Sequence, residues 1–238
     1  MIKHASLAAA LLGLVTALPA HAASVTLSGS TVNYTFDNSL LGLFGMPSVS
    51  GNELYFTPNN FAAQSSNGGG YTLTQSTINV QVSLKPGYTF SKVGLHESGD
   101  YLLLGAGSSA DVAGQLRIFN TGNPGGMHYV HSITPLAPLN LTGLPTRDWK
   151  AKAGFNMAAL PGISNTSTIN LTVENLLLAN TVALPSSLAF VQKKFVGLDV
   201  ITTPVPEPHA WLLTLVGLGL VGLQLRRSKG AVRQPGNA

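Results

Sequence analysis

The 238 residues contain no cysteine, so neither a disulfide framework nor a thiolate metal site can form. Charge is scarce too: Asp, Glu, Lys and Arg make up 9% of the chain, and aromatic residues 7%. A domain built this way stays soluble through neutral hydrogen-bonding groups, and Ser, Thr, Asn and Gly take up that role. The formal net charge of +4 is unevenly placed. Residues 23–203 hold Lys85, Lys92, Arg117, Arg147, Lys150, Lys152, Lys193 and Lys194 against Asp37, Glu53, Glu97, Asp100, Asp111, Asp148, Glu174 and Asp199, which balance. The excess lies in Lys3 and in Arg226, Arg227, Lys229 and Arg233, opposed by Glu207 alone. Binding a phosphate backbone requires basic groups clustered on the folded domain, so no nucleic-acid partner is expected.

The amino terminus predicts export. Lys3 and His4 precede an apolar run from Ala5 to Leu18, then Pro19 and Ala20-His21-Ala22. A polar start, an apolar stretch too short to span a bilayer, and small residues at a peptidase site form a signal peptide. Residues 1–22 are therefore expected to be removed, with Ala20 and Ala22 in the peptidase pockets. The Sec machinery and signal peptidase are the implied partners. The mature chain would begin at Ala23, and residues 23–203 suffice for one self-supporting core.

The other end is organised as clearly. Thr203-Pro204-Val205-Pro206-Glu207-Pro208 alternates prolines, which hold the chain extended as a stiff stalk. Ala210 to Leu225 then runs apolar except for Thr214 and Gln224. At about 1.5 Å per residue such a helix reaches roughly 24 Å, a little short of a hydrocarbon core. Trp211 stands at one end and Arg226-Arg227-Ser228-Lys229 at the other, which places the basic end and residues 230–238 in the cytoplasm. A Pro-Glu-Pro triplet, an apolar helix and a basic cluster, in that order over residues 204–229, resemble the PEP-CTERM sorting signal. The layout is similar to the sortase signals of Gram-positive bacteria. The resemblance implies recognition by an integral-membrane exosortase, with processing at Pro206, Glu207 and Pro208 and retention through Arg226 and Arg227. It also implies transient residence in the inner membrane of a Gram-negative host that makes exopolysaccharide, and then the cell surface or extracellular space.

Between these ends the chain reads as strands. Ile78 to Leu84 alternates apolar and polar residues, as does Ile169 to Glu174, the period of a half-buried strand. Shorter candidates run through Val25–Leu27, Val32–Phe36, Leu54–Thr57, Tyr88–Leu95, Tyr101–Leu104, Gln115–Phe119, Met127–Ile133 and Phe190–Val200. Glycine-rich segments at Asn67–Gly70 and Asn120–Gly126 punctuate them. The expectation is an all-β, antiparallel two-sheet sandwich, jelly-roll-like, flanked by a signal helix and a carboxy-terminal transmembrane helix over 210–225. Leu136–Leu160 is expected to be a loop, or a short helix around Arg147–Lys152. His96–Asp100 reads as a polar turn in which Gly99-Asp100 supply the bend. Glu97-Ser98-Gly99-Asp100-Tyr101 also resembles a segment of small PEP-CTERM surface proteins, which implies a β-domain of the envelope or matrix.

No chemistry-bearing motif stands out. His128 and His131 are spaced so as to face opposite sides of a strand, as are the neighbours His96 and Glu97, so no metal is expected. Residues 23–203 contain no nucleophile elbow, and Gly68-Gly69-Gly70 lacks the lysine of a phosphate loop. Nothing selects a pair of carboxylates, so no catalytic residue and no cofactor is assigned and the chain is not read as an enzyme. The reading is an exported surface or matrix protein with a structural or adhesive role, associated with exopolysaccharide. The alternative is a carbohydrate-binding module, with Trp149 and Tyr129 as candidate sugar contacts and Tyr71 and Phe61 as further loop aromatics.

Overall fold

The computed structural model describes residues 24–182, 185–205 and 208–230. The signal segment 1–22 with Ala20 and Ala22, the stalk residues Pro206 and Glu207, and residues 231–238 lie outside the described residues. So do the side chains of Pro208 and Arg227.

The described chain forms β1 (Ser24–Ser28), β2 (Val32–Asp37), β3 (Ser48–Ser50), β4 (Glu53–Phe56), β5 (Ala62–Ser66), β6 (Gly70–Leu84), β7 (Tyr88–Leu104), β8 (Ser109–Asn120), β9 (His128–Ser132), β10 (Thr134–Pro135), β11 (Arg147–Asn156), β12 (Thr168–Thr181), β13 (Leu188–Pro204) and α1 (Pro208–Gly230). Two antiparallel sheets result. The first, six-stranded, runs β1-β2-β6-β12-β8-β9, and the second, seven-stranded, runs β10-β11-β7-β13-β4-β3, with β5 also on β13. β4 and β5 share one edge of β13, pairing with its later and earlier residues respectively.

Alternation builds the core. β12 turns Ile169, Leu171, Val173, Leu177 and Ala179 inward, and β13 turns Ala189, Val191, Val196, Leu198 and Val200 inward. With Val80 and Val82 of β6 and Leu95 and Leu103 of β7, they make one apolar cluster shared by both sheets. Each large aliphatic buried this way contributes about 1.5–3 kcal/mol. Phe44, Phe56 and Phe61 close one end through edge-to-face contacts at 5.5 and 5.6 Å.

Three local expectations are corrected. The segment Arg147–Lys152 is neither loop nor helix but the start of β11, a strand pairing with β7 over its full length. Its inward residues are Trp149, Ala151 and Ala153, and the small alanines make the alternation faint in sequence. His96–Asp100 is no turn: β7 continues through it, paired on both sides by β11 and β13. Glu97 breaks the apolar pattern there because the core holds it in an ion pair with Lys193. β6 begins at Gly70, eight positions before the clear alternation, because β12 pairs with its polar half as well. α1 occupies the expected place, with Leu213, Val216, Leu220 and Leu225 exposed. Among the described residues, no helix is long and apolar enough to cross a membrane.

Candidate functional site

Neighbouring strands of the second sheet carry an aromatic and acidic cluster on the face turned away from the core. Phe195 of β13 lies between Tyr55 of β4 and His96 of β7. Its ring stacks on Tyr55 at 6.0 Å with an interplanar angle of 13°, and on His96 at 5.3 Å and 27°. Carboxylates flank the imidazole: Glu53 Oε1 lies 3.3 Å from Nε2, and Asp199 Oδ2 lies 3.2 Å from Nδ1. The His96 and Asp199 side chains are each 47% exposed and that of Glu53 is 27% exposed, so the group is open to a ligand. Gly197 makes room for it, since a Cβ there would stand 2.4 Å from Glu53 Oε1 and 2.5 Å from His96 Cε1. Each carboxylate addresses a different ring nitrogen, from opposite sides, so the three do not converge on one cation. Among the described residues no group of three or more His, Asp or Glu is placed to hold a metal ion.

Phe195 has a neighbouring ring against each face, so what this arrangement offers a sugar is chiefly its carboxylates, which accept from hydroxyls. Lys194 bonds Asp100 at 2.7 Å on the same face, and Lys150 and Lys152 stand outward on β11. The outer face of the first sheet offers a shallow groove of about 470 Å³ lined by Thr35, Phe36, Asp37, Asn79, Gln81 and Asn170.

Of the aromatic residues expected at a sugar site, Trp149 is corrected. It is 4% exposed, and its Nε1 donates to the Gln192 carbonyl at 3.1 Å, so both its ring and its polar tip are committed inside. Phe61 is fully buried. Tyr129 is partly exposed on edge strand β9, where its hydroxyl donates to the Pro161 carbonyl at 2.9 Å. Tyr71 is 75% exposed, apart from the stacked cluster. His128 stacks on Phe119 at 4.6 Å and His131 meets Phe155 edge-on, so the two histidines go to separate partners. Sequence reasoning missed Tyr55 and Phe195. Counting by twos from Val191 puts Phe195 inward beside Lys193, but the ladder with β7 shifts register between Lys193 and Phe195. That bulge turns the ring outward and brings Val196 into the core. Nothing local in Lys193-Lys194-Phe195 announces it.

β13, which carries the cluster, ends at Pro204 where the proline stalk begins. The molecule is an antiparallel β-domain whose long central strand leads into a carboxy-terminal helix ending in basic residues. The family model of the PEP-CTERM protein-sorting motif matches residues 204–228, so the chain is a PEP-CTERM motif-containing protein. The motif marks an exported protein targeted to an exosortase. No curated protein matches the chain. Among solved structures, a chain in the structure of infectious bursal disease virus, Gt strain, is similar over 70% of this chain and 47% of its own length, at 11% identity and a TM-score of 0.24. The present chain thus spans about half of that viral chain.

Proposed function

We propose that the protein is a structural or adhesive component of the cell surface or extracellular matrix, associated with the host's exopolysaccharide and without enzymatic activity. In this reading the signal segment 1–22 is removed after Sec export, and residues 23–203 act as a two-sheet β-sandwich. Residues 210–225 hold the chain in the inner membrane as a transmembrane intermediate until an exosortase acts at Pro206-Glu207-Pro208. The observation carrying the reading is the direct continuation of β13 into the sorting motif at residues 204–228. Whatever the carboxy terminus is attached to pulls on the central strand of a sheet. That strand is held on one side by β7 and on the other by β4 and β5. Such a load is spread over many ladder hydrogen bonds, as a surface component requires. Glu207→Ala should leave unprocessed protein in the membrane fraction of the native host, while the wild type leaves it. Equal mass and distribution of the two would make the segment a plain anchor.

The stacked Tyr55, Phe195 and His96 with Glu53 and Asp199 favour a second reading, a carbohydrate-binding module for the same polysaccharide. Phe195→Ala should then weaken retention of the protein on immobilised host exopolysaccharide at least tenfold, with the unfolding midpoint little changed. Equal retention of the wild type and this variant would remove the platform and leave the structural role.

A further inference from the structure

The core encloses three chemically complementary side chains: the amine of Lys193, the carboxylate of Glu97 and the carboxamide of Asn175. Their exposures are 0%, 2% and 0%. Lys193 Nζ donates to Glu97 Oε2, both from the second sheet. The pair lies among aromatic walls, with Nζ 5.2 Å from the Trp149 ring centroid and 5.8 Å from that of Phe61. Desolvation by these surroundings lowers the lysine's pKa, partly offset by Glu97, and so favours the uncharged, nucleophilic amine. Asn175 comes from the first sheet. Both of its amide atoms are buried without a hydrogen-bond partner, as is Glu97 Oε1. Buried polar groups left unpaired are uncommon and call for an explanation.

Register sets the three at one level along the strands. Ser65 Oγ and Thr181 Oγ1 are 2.8 Å apart, and Ser65 pairs with Ala189, so Thr181 stands over β5 at the level of Ala189. From there β12 and β13 run antiparallel in opposite sheets, and six ladder steps along each, with the bulge after Lys193 allowed for, bring Asn175 level with Val196. At the other side of the core, Ile133 donates to the carbonyl of Gly114, the partner of Asn175, and the next residue, Thr134, pairs with Lys152 opposite His96. Asn175 is thus bracketed between the levels of Val196 and His96, and Glu97 pairs with Val196. Facing sheets lie about 10 Å apart, a gap that a lysine and an asparagine reaching inward can close between them.

We propose that Lys193 and Asn175 form an intramolecular isopeptide bond joining the two sheets, with Glu97 as the proton shuttle. The uncharged Nζ attacks Asn175 Cγ while Glu97, holding the amine's former proton, donates it to the amide. The resulting carboxylate takes the second proton from the new C–N bond and passes it to Nδ2. The Cγ–Nδ2 bond breaks, one ammonia leaves, and the proton first given to the amide oxygen returns to the carboxylate as the carbonyl re-forms, so Glu97 ends protonated as it began. No oxidant, metal or cofactor enters the balance. The bond would tie β12 to β13, the strand through which the carboxy terminus is loaded, but its formation does not depend on sorting.

The test is the mass of the folded full chain. Relative to the mass calculated for the termini found by peptide mapping, it should be lower by one ammonia. Trypsin should then yield a peptide of residues 153–194 uncut after Lys193, and chymotryptic cleavage between residues 176 and 190 should leave its two halves joined. Glu97→Gln should restore the full mass and let the halves separate. Four results would overturn the proposal: a full wild-type mass; loss of ammonia with halves that separate, as a succinimide at Asn175 would give; loss of water with Lys193 joined to Glu97; or a Glu97→Gln variant linked as completely as the wild type. The cleavage result on the wild type is decisive even if the variant fails to fold.

Discussion

Tyr34 illustrates how one side chain ties an edge of the domain together. Its ring is fully buried on β2, and its hydroxyl donates to the carbonyl of Asn52, the residue before β4 in the other sheet. The Asn52 side chain in turn accepts from the Thr31 backbone N–H at 2.8 Å. Burial, with the Asp199 and Glu53 carboxylates adding to it, pushes the Tyr34 phenol well above its usual range. The sign follows: the neutral phenol is the form the fold prefers, so its stabilisation is intact below the unfolded value of about 10 and is lost as pH rises beyond it. Tyr34→Phe should cost about 1 kcal/mol in urea unfolding at neutral pH. Above pH 10 the variant's midpoint should fall less steeply than that of the wild type. Parallel curves for the two proteins across that range would refute the assignment.

At the scale of elements, β7 decides most. It separates β11 from β13, and its central stretch Glu97–Tyr101 is paired on both edges. Gly99 sits where this packing is closest: a Cβ there would lie 1.9 Å from the Gln192 carbonyl oxygen and 2.8 Å from Trp149 Nε1. Glycine is therefore present for close approach between strands, not for a bend. The two possibilities separate experimentally at Ser98, which points outward and whose backbone lies inside the ladder. In a turn, proline at that position is tolerated; in a central strand it removes a ladder hydrogen bond and leaves a carbonyl unpaired, at a cost of about 1–3 kcal/mol. Ser98→Pro should accordingly lower the urea midpoint by that equivalent, and an unchanged midpoint would argue for a local break in β7.

On the scale of the whole molecule, the core and the sorting segment are independent. Every buried apolar residue among those described lies between Val32 and Val200, and the apolar residues of α1 from Leu213 to Leu225 are exposed. The start of the stalk is tied to the domain by the Val205 N–H on the Gly87 carbonyl, at 2.8 Å. A chain ending at Val205 should unfold within about 0.5 kcal/mol of the full chain, as measured by denaturant titration in detergent-free buffer. A larger loss would mean that α1 packs on the domain.

The division between sequence and structure follows from the range of the forces involved. Absent thiols, a balanced charge over residues 23–203, the sorting motif, and strands such as Ile78–Leu84 and Ile169–Glu174 are local properties, set by residue identity and by a period of two. The pairings that extend β6 into its polar half and carry β7 through Glu97–Tyr101 are long-range. They depend on β12, β11 and β13 lying alongside, which no window of neighbouring residues encodes. Trp149 shows the same limit: its residue type suits a surface platform as well as a core, and the strand on which it falls, beneath Gln192, places it inside. The exposed cluster was the least legible part, because a single bulge after Lys193 reverses the side on which Phe195 emerges. Only the sheet, by setting Tyr55 and His96 on either side of that ring, makes a surface of it.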